Sequence, residues 1–510
     1  MTKNASSRRW WVLASLSIGL MAVGLDMTVL NVALPTLAAD LQASTSELQW
    51  FADAYNLALA AALLPAGMLG DRYGRKKWLL VALVLFGAAS AGCAFSDTSG
   101  MLILMRVFLG LGAAFLIPLS MSMLPVLFRE EEQARALMIW TTANTLGIPL
   151  GPIVGGWLLK YFDWGSVFLL NLPLVLIAVI AVAWLMPESR RPDRPRLDIP
   201  GVLISSLGLT ALTYGVIRAG ERGWDEAASL GIAAAGVVLL AIFVAWQKRS
   251  AHALIDLKLF RSRGFTWGTL LATIISFAIF GLLFVLPQYF QAVNGVDTFT
   301  TGLRLLPMIG GLMVGAKAAD RLVITSGTKA AAAAGFAFMT AGLAIGTATG
   351  ADSAYLFIAA WSTLCGIGLG LTLPSSMSAA LSQLSAERSG TNSALIMAFR
   401  QIGGTIGVAL LGSVLNHAYR ARLSLEELPD AVAAAVRRSV TAGVAASREI
   451  GSDELLAQVH HAFVHGMNQL LWVCGGIALA GFVLALLFLP GRIAAQAKNH
   501  PHAAAPSDPL

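Results

Sequence analysis

Long apolar runs separated by short polar segments are the dominant pattern along this chain. About fourteen runs reach the roughly 20 residues that a transmembrane helix needs. Their centres lie near Gly24, Ala60, Leu85, Phe115, Gly147, Val175, Leu207, Val238, Phe277, Leu312, Ala341, Gly368, Gly404 and Leu479. The pattern therefore predicts an all-α membrane protein with about 14 transmembrane helices.

Composition supports a membrane-embedded chain. Of the 510 residues, 57% are hydrophobic and 12% are charged, and the mean hydropathy is +0.72. Soluble globular proteins carry about 25% charged residues, so a soluble all-helical protein is disfavoured. Cys93, Cys365 and Cys474 lie singly in apolar runs without metal-ligand spacing, which indicates small core residues.

The distribution of positive charge predicts the orientation. Gly67–Lys77, reading GMLGDRYGRKK, joins two apolar runs, and its glycines favour a tight turn. A basic cluster in a short loop indicates the cytoplasmic side. Alternation then places both termini in the cytoplasm of a multi-pass protein of the plasma membrane. Orientation, rather than nucleic-acid binding, explains the net charge of +7. The first apolar run is too long for a signal peptide and contains Asp26, so we expect it to remain as a helix.

Two charged linkers, Pro187–Pro200 (PESRRPDRPRLDIP) and Gln247–Arg263, divide the chain. We expect an N-terminal six-helix bundle at 1–190, two inserted helices with cytoplasmic linkers at 191–263, and a C-terminal six-helix bundle at 264–510 that includes an external loop at 417–464. Residues of the Gly67–Lys77 loop have counterparts in Gly315–Lys329, after the tenth helix. The two bundles therefore look like a weak parallel repeat, which is a known transporter layout.

The external loop carries its own helical pattern. Leu423–Ala446 is Ala-rich and amphipathic, Ser447–Gly451 interrupts it, and Asp453–Val464 follows Ser452 as a candidate N-cap. We expect two short helices forming a hairpin, either a gate for substrate exit or a solvated cap. Three histidines near the end of the loop have no acidic or Cys partner at ligand spacing, so no metal site is predicted.

Three ionisable residues fall at similar depths within the predicted spans. At 1.5 Å per residue, Asp26 lies roughly 16 Å, Asp53 roughly 9 Å and Arg106 roughly 10 Å below the outer ends of helices one, two and four. Single charges in a membrane are costly and usually pair or line a wet cavity. We infer a cluster of these three residues, with Asn31 and Asn171 at comparable depth.

Such a cluster suits proton coupling. Burial favours the protonated carboxyl and a nearby cation favours the carboxylate, so an aspartate between the two can gain and release a proton. Asp26 is the first candidate for the proton or cation site and Asp53 the second, with Arg106 tuning them. The alternative is a permanent ion pair that locks the three helices together.

Four motifs, read in order, resemble the fourteen-helix drug:proton antiporter branch of the major facilitator superfamily. They are LDMTVLNVALP at Leu25–Pro35, the Gly67–Lys77 loop, LMRVFLGLGAA at Leu104–Ala114 and GIPLGPIVGG at Gly147–Gly156. The resemblance extends from about Arg8 to Arg492. It implies alternating access and proton-coupled export of drugs, antiseptics or dyes.

The resemblance also implies partners and alternatives. We expect drug-like small molecules and protons as substrates, the lipid bilayer as surroundings, no nucleic acid, no cofactor and a monomer. No GxxxxGK[ST] pattern occurs, so ATP is not expected to drive transport. The alternatives are a dedicated exporter of one natural product or metabolite and an integral membrane enzyme, for which no convergent nucleophile or metal set is found.

The resemblance assigns further residues to roles. The conformational motif comprises Gly67, Asp71, Arg72, Gly74 and Arg75, which would latch the two bundles on the cytoplasmic side in the outward-open state. There Asp71 would meet a helix terminus and Arg75 would join an ion network. The antiporter motif comprises Gly147, Gly151, Pro152, Gly155 and Gly156, which would let helix five pack closely against a neighbour; ordinary packing is the alternative.

Polar and bulky side chains supply candidates for the lining of a substrate cavity. They are Asn31, Trp50, Tyr55, Trp140, Asn171, Met308 and Arg400, and each has core or lipid-facing packing as its alternative. Lys317 and Arg400 make the C-terminal half electropositive, so we expect monovalent cationic, neutral or anionic substrates rather than dications. Pairing of Lys317 with Asp320 is an equal alternative.

Overall fold

The computed structural model describes residues 3–190, 198–250, 253–255, 257–381, 389–426 and 428–490. Its helices are α1 (Lys3–Asp40), α2 (Thr45–Tyr73), α3 (Arg75–Ala94), α4 (Ser99–Leu127), α5 (Glu130–Tyr161), α6 (Ser166–Leu169), α7 (Asn171–Leu185), α8 (Ile199–Arg222), α9 (Ala227–Arg249), α10 (Arg263–Gln288), α11 (Thr298–Arg304), α12 (Leu306–Gly346), α13 (Tyr355–Leu381), α14 (Ser389–Ala421), α15 (Asp430–Arg438), α16 (Val440–Glu449) and α17 (Asp453–Phe488). A 3₁₀ turn at Leu257–Arg261 precedes α10, and a π-helical turn at Tyr289–Val293 follows it. The central part of the first linker, 191–197, and the basic residues Arg388, Arg492 and Lys498 lie outside the described residues.

The longest helix, α12, contains two antiparallel spans. Its 41 residues would extend about 60 Å if straight, twice the roughly 30 Å hydrocarbon core. The backbone leaves helical geometry at Gly327, where φ is 89°. Before that point Gly311 and then Gly315 approach Thr363 and then Ile367, so the chain runs parallel to α13. After Gly327 the contact order is reversed, so the chain has turned back.

The helix count agrees with the sequence prediction. Within the described residues, 12 stretches are long and apolar enough to cross a membrane, counting Thr298–Gly346 once. Taking the two arms of α12 separately and adding the 32-residue α5 gives about fourteen spans. The protein is therefore a multi-pass, all-helical membrane protein.

The helices pack in three groups. In the first bundle, α1–α7, α1 packs against α5 and α7, and α4 packs against α2 and α3. In the second bundle, α10–α14 with α17, α10 packs against α13 and α14, and α12 packs against α13 and α17. The inserted pair, α8 and α9, packs internally, and α8 also contacts α2 and α14. Helix α8 therefore touches both bundles.

The two bundles are in contact at the end where α2 begins. The Gln291 Nε2 atom donates to the Val32 carbonyl at 2.9 Å. Nearby, the Lys160 ammonium lies 2.9 Å from the Asp297 carboxylate, so α5 meets the residue that precedes α11. These contacts close this end of the molecule.

Two short helices lie in the segment before the last span, but they are not the two that the sequence predicts. The two short helices are α15 and α16, and they are separated at Ser439, whose extended backbone (φ −163°, ψ 161°) ends one helix and whose side chain caps the Ala442 amide. The expected break at Ser447–Gly451 instead separates α16 from α17. Ser452 is the N-cap predicted for Asp453–Val464, yet that segment is the start of the long α17 rather than a hairpin helix.

The hairpin reaches across to the first bundle. The Arg438 guanidinium donates to the Gln42 side-chain oxygen at 2.7 Å, and the Thr45 hydroxyl donates to the Arg438 carbonyl at 3.3 Å. Gln42 lies in the α1–α2 loop with φ at 51°, a conformation that few side chains adopt. The hairpin thus adds to the contacts between the bundles at the closed end.

Candidate functional site

A buried ion pair lies at the centre of the first bundle. The Arg106 Nη1 atom of α4 donates to the Asp26 Oδ2 atom of α1 at 2.6 Å, and their side chains are 2% and 0% exposed. Taking both charges out of water costs several kcal/mol per ion, which close pairing has to offset. The pair therefore links α1 and α4 through an interaction that depends on the charge of Asp26.

Helix α2 supplies two further contacts to the guanidinium. The Arg106 Nε atom donates to the Phe51 carbonyl at 2.8 Å. The Tyr55 ring lies with its centroid 4.5 Å from the guanidinium carbon, a cation–π distance. Phe51 and Tyr55 are four residues apart and so share one face of α2. Tyr55, which was expected near the cavity, thus holds Arg106.

Helix α7 brings an amide to the same carboxylate. Asn171 lies near Asp26, whose second oxygen, Oδ1, has no hydrogen-bond partner among the described residues. Its Nδ2 atom donates to the Ser90 hydroxyl at 3.0 Å, and Ser90 in turn donates to the Phe168 carbonyl at 2.8 Å. Of the inferred cluster of Asp26, Asp53 and Arg106, the structure brings Asp26 and Arg106 into contact. Ser90 was missed because a serine in an apolar run carries no distinguishing pattern.

Asp53 is not part of this cluster, contrary to the sequence inference. It is 0% exposed, and neither carboxylate oxygen has a hydrogen-bond partner among the described residues. It lies two positions from Phe51 and two positions from Tyr55, which places it about 200° around α2 from both. Gln49, one turn earlier on the Asp53 face, donates to the Val408 and Ala409 carbonyls of α14. Asp53 therefore faces the second bundle.

The glycines of the antiporter motif pack α5 against the segment of α1 that carries Asp26. A Cβ at Gly147 would lie 2.8 Å from the Met21 carbonyl oxygen and 2.9 Å from backbone atoms of Gly24 and Leu25. One and two turns later, Gly151 and Gly155 lie against the side chains of Thr28 and Val29, respectively. Larger residues at these positions would displace α1.

The last motif residues contact the second bundle instead. A Cβ at Gly156 would lie 2.5 Å from the Thr298 carbonyl oxygen, and the Thr298 hydroxyl donates to the Gly156 carbonyl at 3.1 Å. The backbone of Pro152 lies against Gly302 of α11. The motif thus connects α1 on one side with the closed end of the molecule on the other.

The Gly67–Lys77 loop is the tight turn that the sequence predicts. Helix α2 ends at Tyr73 and α3 begins at Arg75, with Gly74 between them at φ 122°. The Arg75 side chain pairs with Asp71 at 2.8 Å and also donates to the Ser122 carbonyl of α4 at 3.2 Å. Asp71 and Ser122 both belong to the first bundle.

A carboxylate that the sequence did not single out meets the start of α3. Glu188, just after α7, accepts hydrogen bonds from the Lys76 and Lys77 amides at 3.1 and 3.3 Å. Anions are favoured at helix N-termini because the first amides lack helical partners. Gly74 and Gly70 also pack tightly here, against Glu188 and Leu119, while Gly67 faces Pro118 more loosely. Arg72 lies over the Tyr73 ring.

Several candidate cavity residues occupy other places. Trp140 is 2% exposed in the core of the first bundle, and its Nε1 atom donates to Ser120. Met308 is 4% exposed and packs at α13, where its carbonyl lies against Gly366. Asn31 donates to the Met27 carbonyl of its own helix. Trp50 lines a separate cavity between α2 and α8. These side chains do not form one lining, because depth along a helix does not fix direction around it.

The two cations of the second half differ in position. The Arg400 side chain is half-buried on α14, and its Nε atom lies 3.3 Å from the Ser276 hydroxyl of α10. Lys317 is exposed on the outside of α12. Of the two, only Arg400 therefore adds positive charge to the interior. The expectation that Lys317 does so as well is corrected.

Comparison with known families decides the identity of the fold. The sequence pattern of the Major Facilitator Superfamily matches residues 16–408. The chain belongs to the major facilitator superfamily.

Similar major facilitators are resistance and export proteins. The chain is 30% identical to the tetracenomycin C resistance and export protein of Streptomyces glaucescens, covering 94% of this chain and 91% of the relative. It is 33% identical to the multidrug efflux pump LfrA of Mycolicibacterium smegmatis, covering 83% and 84%. It is 32% identical to the methyl viologen resistance protein SmvA of Salmonella typhimurium, covering 82% and 85%.

Solved major facilitator structures share the fold at low identity. A bacterial homologue of the human lysosomal transporter Spinster, in an inward-facing and unoccupied conformation, superposes with a TM-score of 0.67 at 16% identity and covers 96% of this chain and 97% of its own. The D-xylose-proton symporter superposes with a TM-score of 0.61 at 15% identity, covering 94% and 98%.

Proposed function

We propose that this major facilitator is a proton-coupled antiporter that exports drugs, antiseptics or dyes from the cytoplasm by alternating access. The buried Asp26–Arg106 pair is the single observation that carries the coupling. The names of the relatives, which refer to multidrug efflux and methyl viologen resistance, support the substrate class. Transport of this kind requires no cofactor and no enzymatic step.

Protonation of Asp26 provides the coupling step. The neutral carboxyl loses its charge attraction to Arg106, so the link between α1 and α4 weakens. Arg106 stays held by the Phe51 carbonyl and the Tyr55 ring of α2. The change in the pair is thus transmitted to α1, whose Asp26 segment is packed against the α5 glycines. Asp53, facing α14 without a partner, is the second candidate for a proton site.

The contacts between the bundles support a state in which the outer side is closed. Basic residues concentrate in alternate loops, so we place both termini in the cytoplasm and the start of α2 at the outer surface of the plasma membrane. The Lys160–Asp297 pair and the α15–α16 hairpin then close the outer side. For outward opening these contacts must break, which makes the hairpin a gate rather than a solvated cap.

The Gly67–Lys77 loop serves the opposite state. Arg75 and Asp71 pair within the first bundle here. We propose that in the outward-open state the loop residues Gly67, Asp71, Arg72, Gly74 and Arg75 latch the two bundles together on the cytoplasmic side. Residues 1–190 and 264–510 then move as two bodies within one monomer, with 191–263 inserted between them.

A dedicated exporter is the second candidate function. Some relatives carry names that refer to single natural products, among them the tetracenomycin C resistance and export protein and the probable actinorhodin transporter. Both candidates share the fold and the coupling site and differ only in substrate range.

Gradient-driven efflux in proteoliposomes tests the proposal. We expect the parent protein to move a fluorescent monovalent cationic dye against its gradient when a pH gradient is imposed and ATP is absent. Asp26→Asn should abolish this transport, whereas Asp97→Asn, a change at an exposed loop carboxylate, should not. Equal transport by the parent and Asp26→Asn would refute coupling at Asp26. Absence of dye transport by the folded parent would favour the dedicated exporter.

A further inference from the structure

A polar cavity lies between the inserted pair and the first bundle, away from the ion pair. Its volume is about 450 Å³, and it is formed by the beginning of α2 and the end of α8. Ser46, Glu47 and Trp50 line it from α2, and Tyr214 and Arg222 line it from α8. None of these residues takes part in the Asp26 network.

The cavity lies at the level of the membrane interface. Helix α2 begins at Thr45 and α8 ends at Arg222, so both helix ends leave the bilayer here. The Trp50 and Tyr214 rings lie with their centroids 6.3 Å apart on the membrane side of the charged residues. Tryptophan and tyrosine favour this depth because their rings are amphipathic.

The cavity contains equal numbers of opposite charges. Arg218 and Arg222 supply two cations, and Glu47 and Glu221 supply two anions. Arg218 is held by Glu226, but the Arg222 side chain is 61% exposed and lies 3.6 Å from that carboxylate. Glu47 accepts from Ser44 through one oxygen, Oε2. A ligand that carries both a positive and a negative group matches this arrangement.

One buried polar atom at the cavity has no hydrogen-bond partner among the described residues. Ser46 lines the cavity and is 6% exposed, and its hydroxyl is that atom. A buried polar group without a partner is costly, which favours a polar ligand here.

An apolar stripe leads from the cavity along the lipid-facing side of α8. Leu203, Leu207 and Tyr214 are 56%, 60% and 43% exposed and lie on one face at intervals of about one or two turns. A soluble zwitterion has no apolar group to contact this surface, whereas the acyl chain of a lipid would cover it.

We propose that this cavity binds a phospholipid with a zwitterionic headgroup. The lipid lies in the leaflet that contains the start of α2. The phosphate pairs with Arg222, the ammonium group pairs with Glu47 and Glu221, and an acyl chain follows the Leu203–Tyr214 face. Helix α8 also contacts α14, where the Ser413 hydroxyl donates to the Val216 carbonyl at 2.8 Å. The lipid therefore occupies a seam at which the inserted pair meets both bundles.

Lipid retention measured by native mass spectrometry tests this site. Purified full-length protein would be titrated with phosphatidylethanolamine or, separately, phosphatidylglycerol. We expect the parent to retain one phosphatidylethanolamine preferentially, and the double variant Glu221→Gln/Arg222→Gln to bind it about tenfold more weakly, as expected for the loss of charge-assisted hydrogen bonds. The matched control Arg422→Gln/Glu449→Gln changes an exposed pair of charges elsewhere and should bind as the parent does.

Further comparisons in the same experiment distinguish this lipid from other ligands. Equal retention of phosphatidylethanolamine by the parent and the double variant would overturn the proposal. Equal retention of phosphatidylglycerol by the parent would overturn the zwitterionic selectivity. Binding of chain-free glycerophosphoethanolamine as tightly as the lipid would assign the cavity to a soluble zwitterion. The single variant Arg222→Gln, at an exposed side chain, provides the same comparison if the double variant does not fold.

Discussion

Removing one partner of the Asp26–Arg106 pair should destabilise the protein strongly. Asp26→Asn keeps the size of the side chain but leaves the Arg106 charge at 2% exposure without its carboxylate. Breaking a buried pair in this way costs about 3–5 kcal/mol, because the remaining charge is still desolvated. The Phe51 carbonyl and the Tyr55 ring remain as contacts, so we expect the lower end of that range.

A double-mutant cycle separates the two roles of the pair. The variants are Asp26→Asn, Arg106→Gln and the double variant, and the assay is the free energy of unfolding in mixed micelles. Since the double variant leaves neither charge unpaired, we expect it to recover at least about 2 kcal/mol relative to the sum of the single changes. Additive single effects would refute the pairing as an energetic link between α1 and α4.

Transport by the same variants addresses the coupling role. A purely structural pair predicts that the double variant, once stable, transports dye in response to a pH gradient. A proton-coupling pair predicts that transport stays lost although stability returns. Restored gradient-driven transport in the double variant would therefore contradict the proposed role of Asp26.

Three further expectations follow from other parts of the structure. Gly147→Ala should lower both dye efflux and unfolding free energy, because its Cβ would lie 2.8 Å from a backbone oxygen of α1, whereas Gly310→Ala, with nothing within 4 Å, should leave efflux at the parent level. The pKa of Asp297 is lowered to about 2 by hydrogen bonds from Thr300 and Lys160, so its contribution to stability is present above about pH 4 and is lost as the pH falls toward 2. Asp297 should accordingly not be the source of any change in spin-label distances across the closed end between pH 5.5 and 8, and a change in the parent that is absent in Asp297→Asn would contradict this. Arg400→Gln should increase efflux of the dication methyl viologen relative to a monovalent dye, because it removes a half-buried positive charge, and an unchanged ratio would remove Arg400 from substrate selection.

Features that depend on position along the chain were accessible from the sequence. The spans follow from apolar length, and the turn at Gly74 follows from glycine between charged residues. The Ser452 cap follows from local hydrogen bonding and is confirmed. Even the reversal at Gly327 was indicated by its correspondence to the first loop, and both glycines have positive φ.

Features that depend on direction around a helix were not accessible. Asp53 and Arg106 lie at similar depth, yet Asp53 faces α14 because Phe51 and Tyr55 occupy the α4 side of α2. Glu188 was missed because its partners, the Lys76 and Lys77 amides, are brought to it by folding rather than by sequence spacing.

Proton release on substrate binding tests the central claim most directly. Detergent-solubilised parent protein in weakly buffered solution would be mixed with a transported dye while the pH is recorded with an indicator. We expect the parent to release protons when dye binds, and the stable Asp26→Asn/Arg106→Gln variant to bind dye without releasing them. Equal proton release by both proteins would contradict the assignment of the coupling site to Asp26 and would direct attention to Asp53.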